Sequence, residues 1–81
     1  MAARIRFLTR EGCHLCEEAR RVLDGVRAST GESVETVDVD RDLDATARAA
    51  VTDLVPVVEV DGAEVARWRV DAARVLAALR H

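Results

Sequence analysis

Between Ala3 and Val26 the apolar residues change their spacing, and that change limits the folds open to the chain more than any other feature. "ARIRFLT" (Ala3–Thr9) is a short apolar-rich run that predicts a buried strand. Leu15, Ala19, Val22, Leu23 and Val26 then follow at steps of four, three, one and three, the spacing of one helix face. Glu17 stands four before Arg21, a favourable pair on the wet side, and Gly31 fits the stop. A second strand-like run, "SVETVDVD" (Ser33–Asp40), completes a β-α-β unit with two parallel strands. Helical spacing returns at Leu43, Ala47, Ala50, Val51 and Leu54, with Asp40 or Asp42 as the cap. "PVVEV" (Pro56–Val60) is short and β-branched, Asp61-Gly62 is a hairpin turn signal, and "AEVARW" (Ala63–Trp68) is the partner strand. Asp71 caps a last helix carrying Ala72, Val75, Leu76 and Leu79. The order β-α-β-α-β-β-α predicts an α/β fold with a mixed four-stranded sheet flanked by helices.

The 81 residues fit one domain, 1–81, with no repeat, linker or low-complexity tract. Such a chain buries only about 60–65% of its unfolded surface, so stability is expected to be modest. Apolar residues make up 49%, enough for a core, and with only Phe7 and Trp68 as aromatics that core is aliphatic. Every basic side chain apart from histidine is Arg, and Lys, Asn, Gln and Tyr are absent, a pattern we read as coding bias. The net charge of −3 is spread through interleaved acids and arginines, which argues against a nucleic-acid partner. No apolar run approaches the roughly 18 residues a membrane span needs. "MAARIRFLTR" has no signal-peptide core, so the expected address is the cytoplasm, where lasting disulfides are rare.

The chain's two cysteines lie in "EGCHLCEEAR" (Glu11–Arg20), at the head of the first helix. As a staple, Cys13–Cys16 would close a ring within one helical turn, worth roughly 2 kcal/mol on chain entropy against almost 5 for a 100-residue loop. As a zinc clip, the pair lacks the second pair such sites use. His14 should point away from both sulfurs, His81 ends the sequence, and no carboxylate is marked as a further ligand. Glu17 rather than His follows Cys16, which excludes haem attachment. As a redox pair it has a mechanism. Cys13 at a helix N-terminus faces unpaired N–H groups and the positive end of the dipole, which favour its thiolate. Cys16, one turn on, is placed to attack the mixed disulfide. Gly12 permits a sharp turn here. Pro56, the sole proline, opens a strand, where its missing donor is tolerated.

"CHLC" after the first strand and "LVPVVEVDG" before the hairpin resemble the glutaredoxin-like branch of the thioredoxin fold, over nearly the whole chain. The resemblance implies that Cys13 is the nucleophile and Cys16 resolves. It implies a cis Val55-Pro56 bond beside the cysteines, with the Val55 backbone offered to substrate, and it places Arg10 where the family often has a basic residue. No bound cofactor or metal is implied. Glutathione or a protein dithiol is the implied reductant. Two departures bear on that choice. "RWRVD" (Arg67–Asp71) lacks the glycines of the family's glutathione-gripping stretch, though Asp71 fits its Asp, and His14-Leu15 replaces the usual Pro-Tyr.

The substrate-binding candidates are therefore Arg10, Val55, Pro56, Trp68 and Arg69. Trp68 is either a core plug or an apolar contact for substrate, and strand alternation sets it with Ala66 and Glu64, opposite Val65. Arg10, Arg67 and Arg69 could line a cleft for an acidic peptide or glutathione, although a solvated arginine is the commoner case. His14, when protonated, would stabilise a neighbouring thiolate; an exposed helix-start residue is the ordinary alternative. Glu11, Glu17 and Glu18 read as a wet helix start. The expectation is a small cytoplasmic thiol–disulfide oxidoreductase, monomeric, acting on a disulfide-bearing protein or a low-molecular-weight thiol. The alternative is a binding module of the same fold that docks a partner or shares a metal cluster between chains.

Overall fold

In the computed structural model, which describes residues 3–80, seven elements form in the expected order: β1 (Ile5–Thr9), α1 (His14–Thr30), β2 (Val34–Asp38), α2 (Ala45–Val51), β3 (Val57–Val60), β4 (Ala63–Arg67) and α3 (Ala72–Leu79). The sheet order is β2-β1-β3-β4. β1 pairs in parallel with β2, Ile5 opposite Val34, and antiparallel with β3, Phe7 opposite Val58. β3 and β4 form the hairpin, whose register shifts between Val58 and Glu59. Its turn has positive φ at both Asp61 (52°) and Gly62 (86°), the combination that matches the twist of a two-residue hairpin.

The central strands β1 and β3 are buried on both faces, which explains their near-continuous apolar runs. On one face Ile5, Phe7, Val58, Val60 and Ala66 pack against Cys16, Ala19, Leu23 and Val26 of α1 and Val75 of α3. On the other, Leu8, Val37, Val39 and Val57 pack with Leu43, Val51 and Leu54 around α2. The step-four, step-three residues of α1 thus point into the larger core, except Leu15 and Val22, which stay half-buried at its rim.

Three expectations need correction. The cap of α2 is neither Asp40 nor Asp42 but Asp44, whose carboxylate accepts from the Ala47 amide at 2.8 Å. Asp42 instead accepts from the Asp38 amide at 2.9 Å, so it holds the turn before the helix, and Leu43 and Leu54 flank α2 from loops. On α1 Glu17 and Arg21 form no ion pair among the described residues; the i, i+4 neighbours that approach are His14 and Glu18, at 3.9 Å, which pair as ions only when the imidazole is protonated. The third concerns Trp68. β4 ends at Arg67, and Trp68 has φ 64°, so strand alternation does not reach it. Met1, Ala2 and His81 lie outside the described residues, and with them the N-terminal end of "MAARIRFLTR" and the weighing of His81 as a ligand. Among the described residues no helix is long and apolar enough to cross a membrane.

Candidate functional site

Gly12 turns the chain out of β1 with φ 73°, a conformation costly for residues with a side chain. That turn leaves Cys13 extended (φ −96°, ψ 110°) as the N-cap of α1. Its sulfur accepts a hydrogen bond from the Cys16 amide at 3.2 Å, in the place a Ser or Asp oxygen takes in an ordinary cap. Cys13 and Cys16 are joined as a disulfide, with Cα atoms 5.2 Å apart. The two sulfurs differ in surroundings: Cys16 is 2% exposed within the larger core, whereas Cys13 is half-buried at its edge. His14 and Glu17 are exposed beside them.

Val55-Pro56 is cis, as the resemblance implied. Pro56 is buried, and Val55, like Cys13, packs at the edge of the larger core. The Pro56 carbonyl accepts from the Trp68 amide at 2.8 Å, tying the end of the hairpin to this segment. The Val55 N–H and C=O take no backbone partner among the described residues.

The arginines separate. Arg10 is committed elsewhere: it donates to both Asp40 oxygens at 2.9 and 3.1 Å, to the Thr52 carbonyl at 3.0 Å and to Thr52 Oγ1. The hydrogen-bonded guanidinium holds the Asp40 carboxyl below the usual carboxylate range, and the carboxylate in turn raises Arg10. Arg67 pairs with Glu64 at 2.8 Å and lies 5.8 Å from the Trp68 ring. Arg69 makes no ion pair among the described residues. Trp68 is 49% exposed, so it is a surface side chain rather than a core plug, and its indole N–H donates to the Asp53 carbonyl at 3.1 Å. Sequence reasoning missed Asp40, Thr52 and Asp53 as the partners that fix Arg10 and Trp68. For Thr52 and Asp53 nearness to Pro56 in the chain was the only signal, and for Asp40 there was none, because the contacts are made across the fold. Among the described residues no group of three or more His, Cys, Asp or Glu side chains is gathered in metal-binding geometry.

This sheet order, with a cysteine pair at the head of the first helix and a cis X–Pro bond just before β3, defines a thioredoxin-like α/β fold. The chain belongs to the Glutaredoxin-like domain (DUF836) family, which matches residues 4–80. It is 34% identical over 76 residues to the uncharacterized protein Rv0508 of Mycobacterium tuberculosis, across 90% of this chain and 78% of that one. Among solved structures it is similar to target protein XcR50 from X. campestris, with 32% identity and a TM-score of 0.73 over 94% of this chain and 95% of that one. It also shares its fold with buckwheat glutaredoxin, solved as a complex with glutathione, at 18% identity and a TM-score of 0.61 over 96% of this chain and 69% of that one.

Proposed function

We propose that the chain is a dithiol–disulfide oxidoreductase. The observation that carries this is the asymmetry of the pair: Cys13 caps a helix and reaches the surface, while Cys16 is buried behind it. In the reduced protein the amide that meets Cys13 Sγ, with the helix dipole behind it, favours the thiolate over the thiol. The Cys13 thiolate attacks one sulfur of a substrate disulfide; a Cys13–substrate disulfide forms and the other substrate sulfur leaves as a thiolate. Cys16 loses its proton and attacks Cys13 Sγ; the Cys13–Cys16 disulfide forms and the second substrate thiolate leaves. The substrate has gained two electrons, and the protein stands in the disulfide state seen here.

In this reading the Val55 backbone groups, which have no backbone partner among the described residues, pair with the substrate chain beside buried Pro56. We assign the cytoplasm as the compartment, because a pair within one helical turn is suited to cycling rather than to lasting cross-linking. A protein dithiol is the reductant we favour. Buckwheat glutaredoxin was solved as a complex with glutathione, but here the side chains of Trp68 and Arg69 occupy the stretch where glycines would let a small ligand approach the backbone closely. Two assays run side by side test this: mixed-disulfide reduction by glutathione, and turnover coupled to thioredoxin reductase. Activity is expected in the second and weak activity in the first; glutaredoxin-like turnover in the first with none in the second contradicts it.

A further inference from the structure

Trp68 is the one large apolar side chain exposed among the described residues, and it is held in a backbone conformation that glycine would adopt more cheaply. The Arg69 amide closes back onto the Arg67 carbonyl at 2.7 Å, a three-residue turn about Trp68 of the rare, strained kind with positive φ. A bulky residue kept in such a turn at a candidate site directs attention to what its side chain does. The ring is anchored at the Asp53 carbonyl, so it does not swing freely. Together with Leu15, Val22 and Val70 it lines an open groove of about 130 Å³, with Glu18 and Arg69 as its charged members. A dry cavity of roughly 150 Å³ accepts a benzene ring, so this groove has room for an aliphatic side chain. Leu15 lies between the two cysteines in the chain, and the Trp68 amide is bonded to the Pro56 carbonyl, so the groove's two walls continue into the cysteine and proline segments.

Arg69 lines this groove and also the open depression next to it, which Glu64, Arg67 and Arg74 share. Arg67 is matched by Glu64. Arg69 and Arg74 have no ion-pair partner among the described residues, so the groove and the depression together carry two unpaired arginines against one further carboxylate, Glu18, on a chain of net charge −3.

We propose that Trp68, Leu15, Val22 and Val70, with Arg69 and Arg74 at their edge, form a docking surface for a protein segment that carries an apolar residue next to an acidic one, close to the cysteine that Cys13 attacks. The apolar side chain fills the groove against the indole, and the carboxylate meets Arg69. The strained turn is retained because it holds the indole over the groove. This inference rests on Cys13 being the attacking sulfur.

The test uses the Cys16→Ser variant, first converted to its Cys13–glutathione mixed disulfide and then equilibrated with a peptide thiol. The peptide thiolate attacks Cys13 Sγ, a Cys13–peptide disulfide forms and glutathione leaves as its thiolate, with no net oxidation. Two peptides share one cysteine; in one Leu-Asp follows it and in the other Ser-Ser. The chain has one Trp and no Tyr, so emission reports Trp68 alone. The Leu-Asp peptide is expected to give an exchange constant about tenfold larger, with a blue shift of the emission. Adding Trp68→Gly, which suits the positive φ, should bring the two constants together. Equal constants without a shift, or a preference that survives Trp68→Gly, overturn the docking surface while Cys13 exchange stands. Failure of Cys13 to take up glutathione or either peptide overturns the dithiol reading and this inference with it.

Discussion

Arg10 grips Asp40 through two hydrogen bonds, at 2.9 and 3.1 Å, and so joins the end of β1 to the loop after β2. A second pairing of this kind, Arg4 with Asp61, ties the start of β1 to the hairpin turn at 2.8 and 3.0 Å. In both, the arginine hydrogen bond holds the carboxyl below its usual range. A carboxyl whose folded pKa is depressed contributes stability above its unfolded value, near 3.9, and that contribution is lost as pH falls through the lower folded value. Urea midpoints should therefore fall between pH 5 and pH 2. Asp40→Asn should lower the midpoint at pH 5 and make this acid loss shallower. An acid loss as steep in Asp40→Asn as in the parent would remove the pair from the stability account. Both pairs are solvent-exposed, so raised salt should weaken the effect.

Trp68 gives a prediction whose sign depends on backbone conformation. Trp68→Ala loses the indole hydrogen bond and its contacts but keeps a side chain at φ 64°. Trp68→Gly loses the same contacts and relieves the backbone. Glycine should therefore leave the protein about 1 kcal/mol more stable than alanine, the reverse of their order inside a helix. Denaturant melts of the two variants check this, and an alanine variant at least as stable as the glycine one contradicts the strained turn.

In the reduced protein Cys13 should be alkylated faster than Cys16 by at least about tenfold at pH 7, with an apparent pKa below the free value of about 8.5. The reasons are its helix-capping position and its exposure relative to Cys16. Iodoacetamide kinetics on Cys13→Ser and Cys16→Ser, followed by mass spectrometry across pH 5 to 9, measure both quantities. Equal rates for the two variants would refute the assignment of roles.

The sequence carried the fold where local chemistry and burial agree. The double-faced burial of β1 and β3 produced their apolar runs, Asp61-Gly62 took the turn its residue types favour, and Cys13 and Cys16 fell at the helix start that the periodicity marked. The α2 cap was misplaced because Asp38, Asp40, Asp42 and Asp44 are all competent caps, and only the folded loop decides which amide each one meets. Trp68 was illegible for a different reason. Alternation carries information only while the strand continues, and the turn that ends β4 is stabilised by the carbonyl of Pro56, which lies in the loop before β3. The partners of Arg10 were hidden in the same way, since Asp40 and Thr52 are 30 and 42 residues away along the chain.

The central claim, that Cys13 and Cys16 are a reversible dithiol, is tested most directly by equilibrating the protein in a graded glutathione redox buffer, quenching with acid and counting free thiols by mass spectrometry. The account predicts a single two-thiol transition with a midpoint from about −270 to −200 mV, the span between thioredoxin and glutaredoxins. It also predicts loss of that transition in either single-cysteine variant. A pair that stays reduced or oxidised across the whole range, or that accumulates only glutathione adducts on each cysteine, would contradict it.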